Sequence, residues 1–485
     1  MRWHVFILWL LFLVRGSFYC AMLPLWEGWD EYAHFAWLQH WIDHGTLPGF
    51  HDPVSREIDE SMRLAPLAGE LRWIGPPYQT HSQWWKLPAA ERTERMRRLA
   101  NLPPAFAHQP AEHPFDFYEA QQPPLYYWGL SVPLRLLRQW PLEARVKAVR
   151  RLSMALASLA IPLTWLAARF ILTDDALALL CAALLAVAPG FVIDVSRVAN
   201  DSLAIPLVAA LFLLLVRPGK GLLASGITLG AALLAKAYLL ALIPGLALLW
   251  WRQKRRLALT VLIAFLIAGW WYVRNLMLGY SLSGWMLRAD AAQVLKAAAF
   301  RINWFSAAHV IAKSFLWFGG WSFLTMKSWI YVTFELAALL AVALAFRRRN
   351  LRIPAVLTGT YLLAMAWGVA VYAVAQNVPN LPGWYLWPMG SMISVILVAG
   401  LRRYAVGLVA ALAALDLYGA AALQTPFYAG LVERNKAAAG QFFTALSRLG
   451  IPLPLALAWV AATLAIVAIA VMTDYSLEKP HGPQR

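Results

Sequence analysis

Apolar runs about twenty residues long recur down this chain, and nothing else in it limits the fold so much. A helix rises 1.5 Å per residue, so roughly twenty apolar residues cross the hydrocarbon core of a bilayer. Candidate spans lie at 4–25, 151–170, 175–193, 202–216, 221–236, 238–251, 256–274, 328–346, 353–373, 384–401, 404–421 and 452–472. The run 222–250 is too long for one helix and is divided at Lys236, which is then expected at a membrane surface. The stretch 309–325 carries Lys313 and Gly319-Gly320 and is expected to be re-entrant or interfacial. Only 14% of the residues are charged, against roughly 25% in soluble domains. The expected fold class is an all-α integral membrane protein with about twelve transmembrane helices, within eleven to thirteen. The first run is longer than a signal-peptide core of about 7–15 residues, so it is expected to stay as a span. Arg15 within it is costly in lipid and is expected to snorkel or to face the protein interior.

Charge placement then sets the topology. A net charge of +17 would suggest nucleic acid in a soluble chain. Here the bases gather in short loops between apolar runs, and no nucleic-acid partner is expected. The segment 122–139 looks like a span, but if it crosses, the clusters Arg252–Arg256, Arg347–Arg349 and Arg402–Arg403 all fall outside. If it lies along the outer surface, they fall inside together with Arg217 and Lys220, as short basic loops do. Pro123, Pro124 and Pro133 also suit an interfacial helix. The N-terminus is therefore expected in the cytoplasm, and residues 26–150 form one long outer loop. Its middle, 52–112, rich in Pro, Arg and Glu, is expected to be partly mobile. A second outer loop spans 275–308, and 422–485 is read as a further outer loop, the last span and a cytoplasmic tail. Cys20 and Cys181 make no disulfide framework.

The long loop opens with "LWEGWDEYAHF", in which Glu27, Asp30 and Glu31 stand among tryptophans. Residues 30–45 read as an interfacial helix, with Asp30 at its N-cap, Gly45 at its stop and its aromatics in the headgroups. The bland reading is that Asp30 caps the helix and Glu31 complements its dipole. The functional reading is a general base at the membrane–water boundary. His40 and His44 are four apart, but the sequence fixes no third ligand. No metal site and no cofactor are expected, although a divalent metal is not excluded.

Seven stretches carry a resemblance, in a fixed order. "WDEYAHFAWLQHWIDHGTLP" resembles the "DE-x-A-H-F … G-x-L-P" opening of bacterial GT-C glycosyltransferases, polytopic enzymes related to the protein O-mannosyltransferases and the lipid A aminoarabinose transferase. "YEAQQPPLYYW" (118–128) is similar to their "PPLYY" juxtamembrane helix, and "RLSMALASLAIPLTWLAARF" (151–170) to the span after it. "SRVANDSLA" (196–204) resembles an outer loop ending in Asn-Asp. "GITLGAALLAKAYLLALIPGLAL" (226–248) resembles a helix pair broken at a lysine, and "WWYVRNLMLGYSLSG" (270–284) the end of a span before a large second loop. "GWYLWPMGSMISVILVAGL" (383–401) is similar to a late span that often begins "GRYLLP". The resemblance is spread to residue 401 and is vague beyond, so 1–421 is expected to be one GT-C catalytic module. It implies a sugar donor on a polyprenyl phosphate and an aspartate, here Asp30, that acts as base or positions the acceptor. It also brings Asn200 and Asp201 to the site. Gln122 stands where some relatives have Lys, and Trp384 where they have Arg.

The residue types fit that chemistry. Transfer from a lipid phosphate needs a base for the acceptor hydroxyl, cations for the leaving phosphate and an apolar groove for the tail. Asp30 or Glu31 is expected to be the base. Lys236, Arg150, Arg151, Arg145 and Arg274 are expected to hold the phosphate, and His34, Gln122, Tyr126, Tyr127, Asn200 and Asp201 to contact sugar or acceptor. Attack from the face opposite the phosphate inverts the anomeric centre. The expected partners are a polyprenyl-phosphate-linked sugar, a lipid, glycan or protein acceptor, and membrane lipids, at the outer face of a bacterial cytoplasmic membrane. Two readings compete. A transporter or flippase would use Arg15 and Lys236, but the long one-sided loop and the lack of paired interrupted helices weigh against it. An O-antigen-ligase-like transferase would take a pyrophosphate-linked donor, but its large loop falls late in the chain. There is no P-loop, zinc-protease His-Glu pair or nucleophile elbow.

Overall fold

The computed structural model describes residues 1–75, 77–113, 117–219, 221–284, 289–347 and 349–478. Lys220 and Arg348 of the basic loops, residues 285–288 of the second outer loop and 479–485 of the C-terminal tail lie outside the described residues. The described chain is helical, apart from one parallel pair of two-residue strands, Pro66–Leu67 and Gln79–Thr80.

Among the described residues, seven helical stretches are long and apolar enough to cross a membrane: Arg2–Met22, Leu142–Leu172, Lys254–Met277, Ser328–Ala345, Arg352–Ala375, Gly383–Tyr428 and Leu453–Thr473. Asp175–Val187 and Pro189–Val195, bent by 58° at the break, make an eighth if taken as one span. The protein is a multi-pass α-helical membrane protein. Each of the twelve expected spans is an apolar helix, but not all have full crossing length. Those at 202–216, 221–236 and 238–251 are the shorter helices Asp201–Val216, Leu222–Ala235 and Ala237–Leu249. The spans expected at 384–401 and 404–421 share one helical stretch, interrupted at Arg402. The segment 309–325 is no span: helix Trp304–Leu316 ends in a tight turn closed by Gly319 N donating to Leu324 O. Helix Leu125–Leu136 has 12 residues, or about 18 Å, too short to cross a core of roughly 30 Å.

The 222–250 run breaks at Lys236, as its charge predicts. Lys236 has φ −152° and ψ 124° between Leu222–Ala235 and the 3-10 turn Ala237–Ala241. It does not lie on an open surface but is buried. Arg15 faces the interior. It pairs with Asp416 at 3.0 Å and donates to Thr463 Oγ1 and the Val187 carbonyl. Asp416 also accepts from Tyr19 at 2.6 Å and Trp459 at 3.0 Å. A charge that lipid would reject thus ties together the first helix, the bent pair and the last two spans.

The described residues of 26–150 form a folded layer with its own core. Helix Glu31–His44 packs on Leu125–Leu136 through Phe35, Trp37, Leu38, Tyr127 and Leu130. Trp37 stacks on Tyr127 at 4.2 Å between centroids, so these aromatics fill a core and do not lie in headgroups. Burying each such side chain is worth about 1.5–3 kcal/mol. The described residues of 52–112 belong to the same layer. Ser55 caps helix Arg56–Leu64, which places Ile58, Met62 and Leu64 in the same core.

Candidate active site

The three carboxylates of "LWEGWDEYAHF" meet three different environments. Glu27 is buried and structural: it accepts from Ser322 N at 2.7 Å and Tyr428 Oη at 3.2 Å and pairs with His81 at 2.9 Å. Glu31 is fully buried. Arg150 grips both its oxygens, Nε at 2.7 Å and Nη2 at 2.5 Å, and Val198 N donates to it at 3.0 Å. Asp30 precedes the helix but does not cap it. Its backbone is left-handed, φ 57°, and its side chain accepts from Tyr118 Oη instead. A non-glycine residue held in that region is uncommon and marks places where the surroundings over-determine the backbone.

Asp30 opens on a cavity of about 370 Å³. The loop 26–150 supplies one side through His34, Glu119, Gln121 and Gln122, and the corner after the bent pair supplies Arg197 and Asp201. The break at Lys236 brings Lys236 and Tyr238, and an apolar side comes from Leu240, Ala241, Ala364, Met365 and Gly368. Trp384 and Tyr385 close the wall, on a turn that meets helix Trp304–Leu316 tightly. A Cβ on Gly383 would stand 1.9 Å from the Ile311 carbonyl oxygen. At the position where an Arg is usual in the resembled motif, Trp384 stacks on Trp29 at 4.1 Å.

Among the described residues, the cavity's cations are Lys236 and Arg197. Lys236 Nζ donates to Asn200 Oδ1 at 2.5 Å and Asp201 Oδ2 at 2.9 Å. Arg197 Nη2 donates to Asp194 at 2.8 Å and Asp201 at 3.2 Å, and Nη1 to the Trp29 carbonyl at 2.7 Å. Tyr238 Oη also donates to Asp201. Each cation already has a carboxylate, so an entering anion must compete for it. Burial raises the Asp30 carboxyl above its ordinary value, while the Tyr118 hydrogen bond, Arg197 and Lys236 pull it partly back. Burial, with the charge of Asp30, pushes Glu119 up to about 8. Burial and the two cations hold His34 well below its ordinary value, so it is neutral at pH 7.

The structure brings together Asp30, His34, Gln122, Asp201 and Lys236 of the expected residues, with Asn200 bridging Gln122 and Lys236. It does not bring Glu31 there. Arg150 spends its donors on Glu31 and on the carbonyls of Leu23 and Pro24. Arg145 pairs with Glu57 and lines a separate cavity. Arg151 is exposed, and Arg274 lies 4.7 Å over the Trp271 ring. Tyr126 bonds Ser153 at 2.7 Å, and Tyr127 contacts His34 at 2.6 Å from behind. Sequence reasoning missed Arg197, Tyr118, Glu119 and Tyr238. The first three lie inside "YEAQQPPLYYW" and "SRVANDSLA", where a charged or phenolic group beside the motif was the available signal. Among the described residues, no three His, Cys, Asp or Glu side chains are arranged to hold a metal ion.

No family model matches the chain, and no curated protein matches it. Among solved structures, the chain shows distant likenesses in fold. In particular they include ArnT from Cupriavidus metallidurans bound to undecaprenyl phosphate, at 17% identity and TM-score 0.42, over 73% of this chain and 65% of that one. They also include the archaeal oligosaccharyltransferase AglB from Archaeoglobus fulgidus in complex with an inhibitory peptide and a dolichol-phosphate, at 13% identity and TM-score 0.41, over 100% of this chain and 56% of that one. The chain thus spans less than two thirds of the length of either.

Proposed function

We propose that this protein is a membrane glycosyltransferase. In this reading it moves a sugar from a polyprenyl-phosphate donor to a lipid, glycan or protein acceptor at the outer face of a bacterial cytoplasmic membrane. One observation carries the reading. A half-buried carboxylate, Asp30, is held off its helix by Tyr118 and opens on a cavity with Lys236 and Arg197 on one side and an apolar wall on the other. Lys236 and Arg197 suit the donor phosphate, and Leu240, Ala241, Met365 and Gly368 suit the first isoprene units. Trp384 and Tyr385 offer aromatic faces to a sugar.

Asp30 takes the proton of the acceptor hydroxyl while the acceptor oxygen bonds to the anomeric carbon. The bond from that carbon to the phosphate oxygen breaks, and its electron pair leaves on the phosphate. The donor phosphodiester becomes a polyprenyl monophosphate with one more negative charge, which Lys236 and Arg197 stabilise. The proton on Asp30 passes to the departing phosphate or to water. Attack opposite the phosphate gives inversion without a covalent enzyme intermediate, and the raised basicity of Asp30 suits a base.

The test is single-turnover transfer by purified protein from polyprenyl-phosphate sugars, with product configuration read by NMR. Transfer with inversion is expected. Absence of transfer and of undecaprenyl phosphate binding would sink the reading.

A further inference from the structure

Two buried polar atoms in the cavity wall have no hydrogen-bond partner among the described residues: Glu119 Oε2 and Gln121 Oε1. Buried polar atoms in native proteins are almost always paired, so such orphans in a cavity point to a ligand. Both stand on the turn Tyr118–Gln121, whose Tyr118 holds Asp30. The turn is fixed. Gln122 N donates back to the Glu119 carbonyl at 3.0 Å, and Asn200 holds the Gln122 side chain at 2.9 Å. Gly284, at φ 76°, packs so close that a Cβ there would stand 3.0 Å from Gln121 Cβ. Glu119 is more than nine-tenths buried.

The chemistry of the pair selects its ligand. Gln121 Oε1 can only accept. Asp30, Asp201 and the phenols Tyr32, Tyr118, Tyr127 and Tyr385 face Glu119, against Lys236 and a hydrogen bond from Gln122, with Arg197 in the same cavity. That surrounding keeps the Glu119 proton on to about pH 8, so its carboxyl donates. A phosphate, which only accepts, would meet an unpaired oxygen at Gln121. A hydroxyl both donates and accepts and satisfies both. Resting on the donor reading above, we propose that Glu119 and Gln121 form a wall that recognises hydroxyls of the transferred sugar, with the Glu119 carboxylic acid as donor and Gln121 Oε1 as acceptor. Glu119 is then a binding group of the sugar subsite, and its ionisation weakens the grip on a glycosylated lipid without touching the phosphate cations.

The experiment uses full-length protein in nanodiscs. Binding of undecaprenyl phosphate and of undecaprenyl-phosphate-linked glucose, mannose and galactose is measured from pH 6.5 to 9. Bare undecaprenyl phosphate reports on the donor site alone, so failure there sinks the donor reading and this wall with it. With that binding intact, at least one glycosylated lipid should bind tighter than the bare lipid at pH 6.5, and the advantage should fade through about pH 8. Glu119→Ala should lose about three- to tenfold on the glycosylated lipid, the worth of one neutral hydrogen bond, and less on the bare one. Glu119→Gln, whose amide still donates, should keep the advantage and lose its pH dependence. Infrared difference spectra should show a protonated carboxyl band at pH 7 that Glu119→Gln removes. The proposal falls if no glycosylated lipid outbinds the bare one, if Glu119→Ala binds like wild type, or if the alkaline fade persists in Glu119→Gln. It also falls if sugar binding needs Mn²⁺ after EDTA treatment, which would assign these oxygens to a cation.

Discussion

At the scale of single residues, Asp30 gives the cleanest test, because a structural role and catalysis predict opposite results. Asn occupies left-handed backbone as readily as Asp and its Oδ1 can still accept from Tyr118 Oη, so Asp30→Asn should leave the fold intact. As a base it fails: single-turnover transfer should drop about a hundred- to ten-thousandfold, with donor binding near normal. Full activity in Asp30→Asn would remove the base. The pH profile follows from the same two carboxyls. Asp30 must be ionised, and its folded-state value is raised, so the rate should climb with pH above the ordinary aspartate range. Glu119 must keep its proton, so the rate should fall again through about 8. A rate flat from pH 5 to 9 would contradict both assignments. Asp30 was legible in the sequence because a carboxylate among tryptophans at a membrane mouth is conspicuous. The role of Glu31 was not. Adjacent helical residues point roughly 100° apart, and the partner that commits Glu31 to structure, Arg150, lies 119 residues away.

At the scale of elements, buried charges divide into those that hold helices together and those that serve the cavity, and mutation should separate them. Arg150 locks the end of the first helix and Glu31 to the helix Leu142–Ser158. Arg150→Ala leaves Glu31 unpaired and should destabilise by about 3–5 kcal/mol, seen as a lowered Tm in detergent with little change in donor affinity for the folded fraction. Arg15→Met, which strands Asp416 in the same way, should behave alike. Lys236→Ala removes a cavity cation and should weaken the lipid phosphate about ten- to a hundredfold, for one charge-assisted contact of about 1.5–3 kcal/mol. Equal effects of Arg150→Ala and Lys236→Ala on donor affinity would defeat the distinction. Sequence patterns read these elements unevenly. Long apolar runs announced the spans, and a lysine inside one announced the break at 236. The folded stretch 52–112 went unseen because its core residues, Ile58, Met62, Leu64, Leu67 and Leu71, sit singly among charges and form no run. Nor could any pattern show that Gly383 permits the close approach that seats Trp384.

At the scale of the whole molecule, the cavity exists only because chain segments around residues 30, 120, 200, 236, 365 and 384 meet at one end of the helix bundle. The resembled motifs named most of those segments in order, yet their meeting depends on packing that no single segment encodes. The same convergence fixes where the basic loops lie. If the layer built from 26–150 is outside, the loop at Arg252–Arg256 must be inside, since helix Lys254–Met277 starts there and ends near the cavity's rim at Asn275. Cys20 and Cys181 are buried and should stay silent to an impermeant thiol reagent, so single exposed cysteines can report each side. Ser82 and Lys254 are both exposed. His81 beside Ser82 is unsuitable as a reporter because it is buried against Glu27. In intact cells Ser82→Cys should label and Lys254→Cys should not, and permeabilisation should expose the second. Labelling at 254 with protection at 82 would invert the protein and put Asp30, Lys236 and the proposed sugar wall on the cytoplasmic face, where an outer-face acceptor could not reach them.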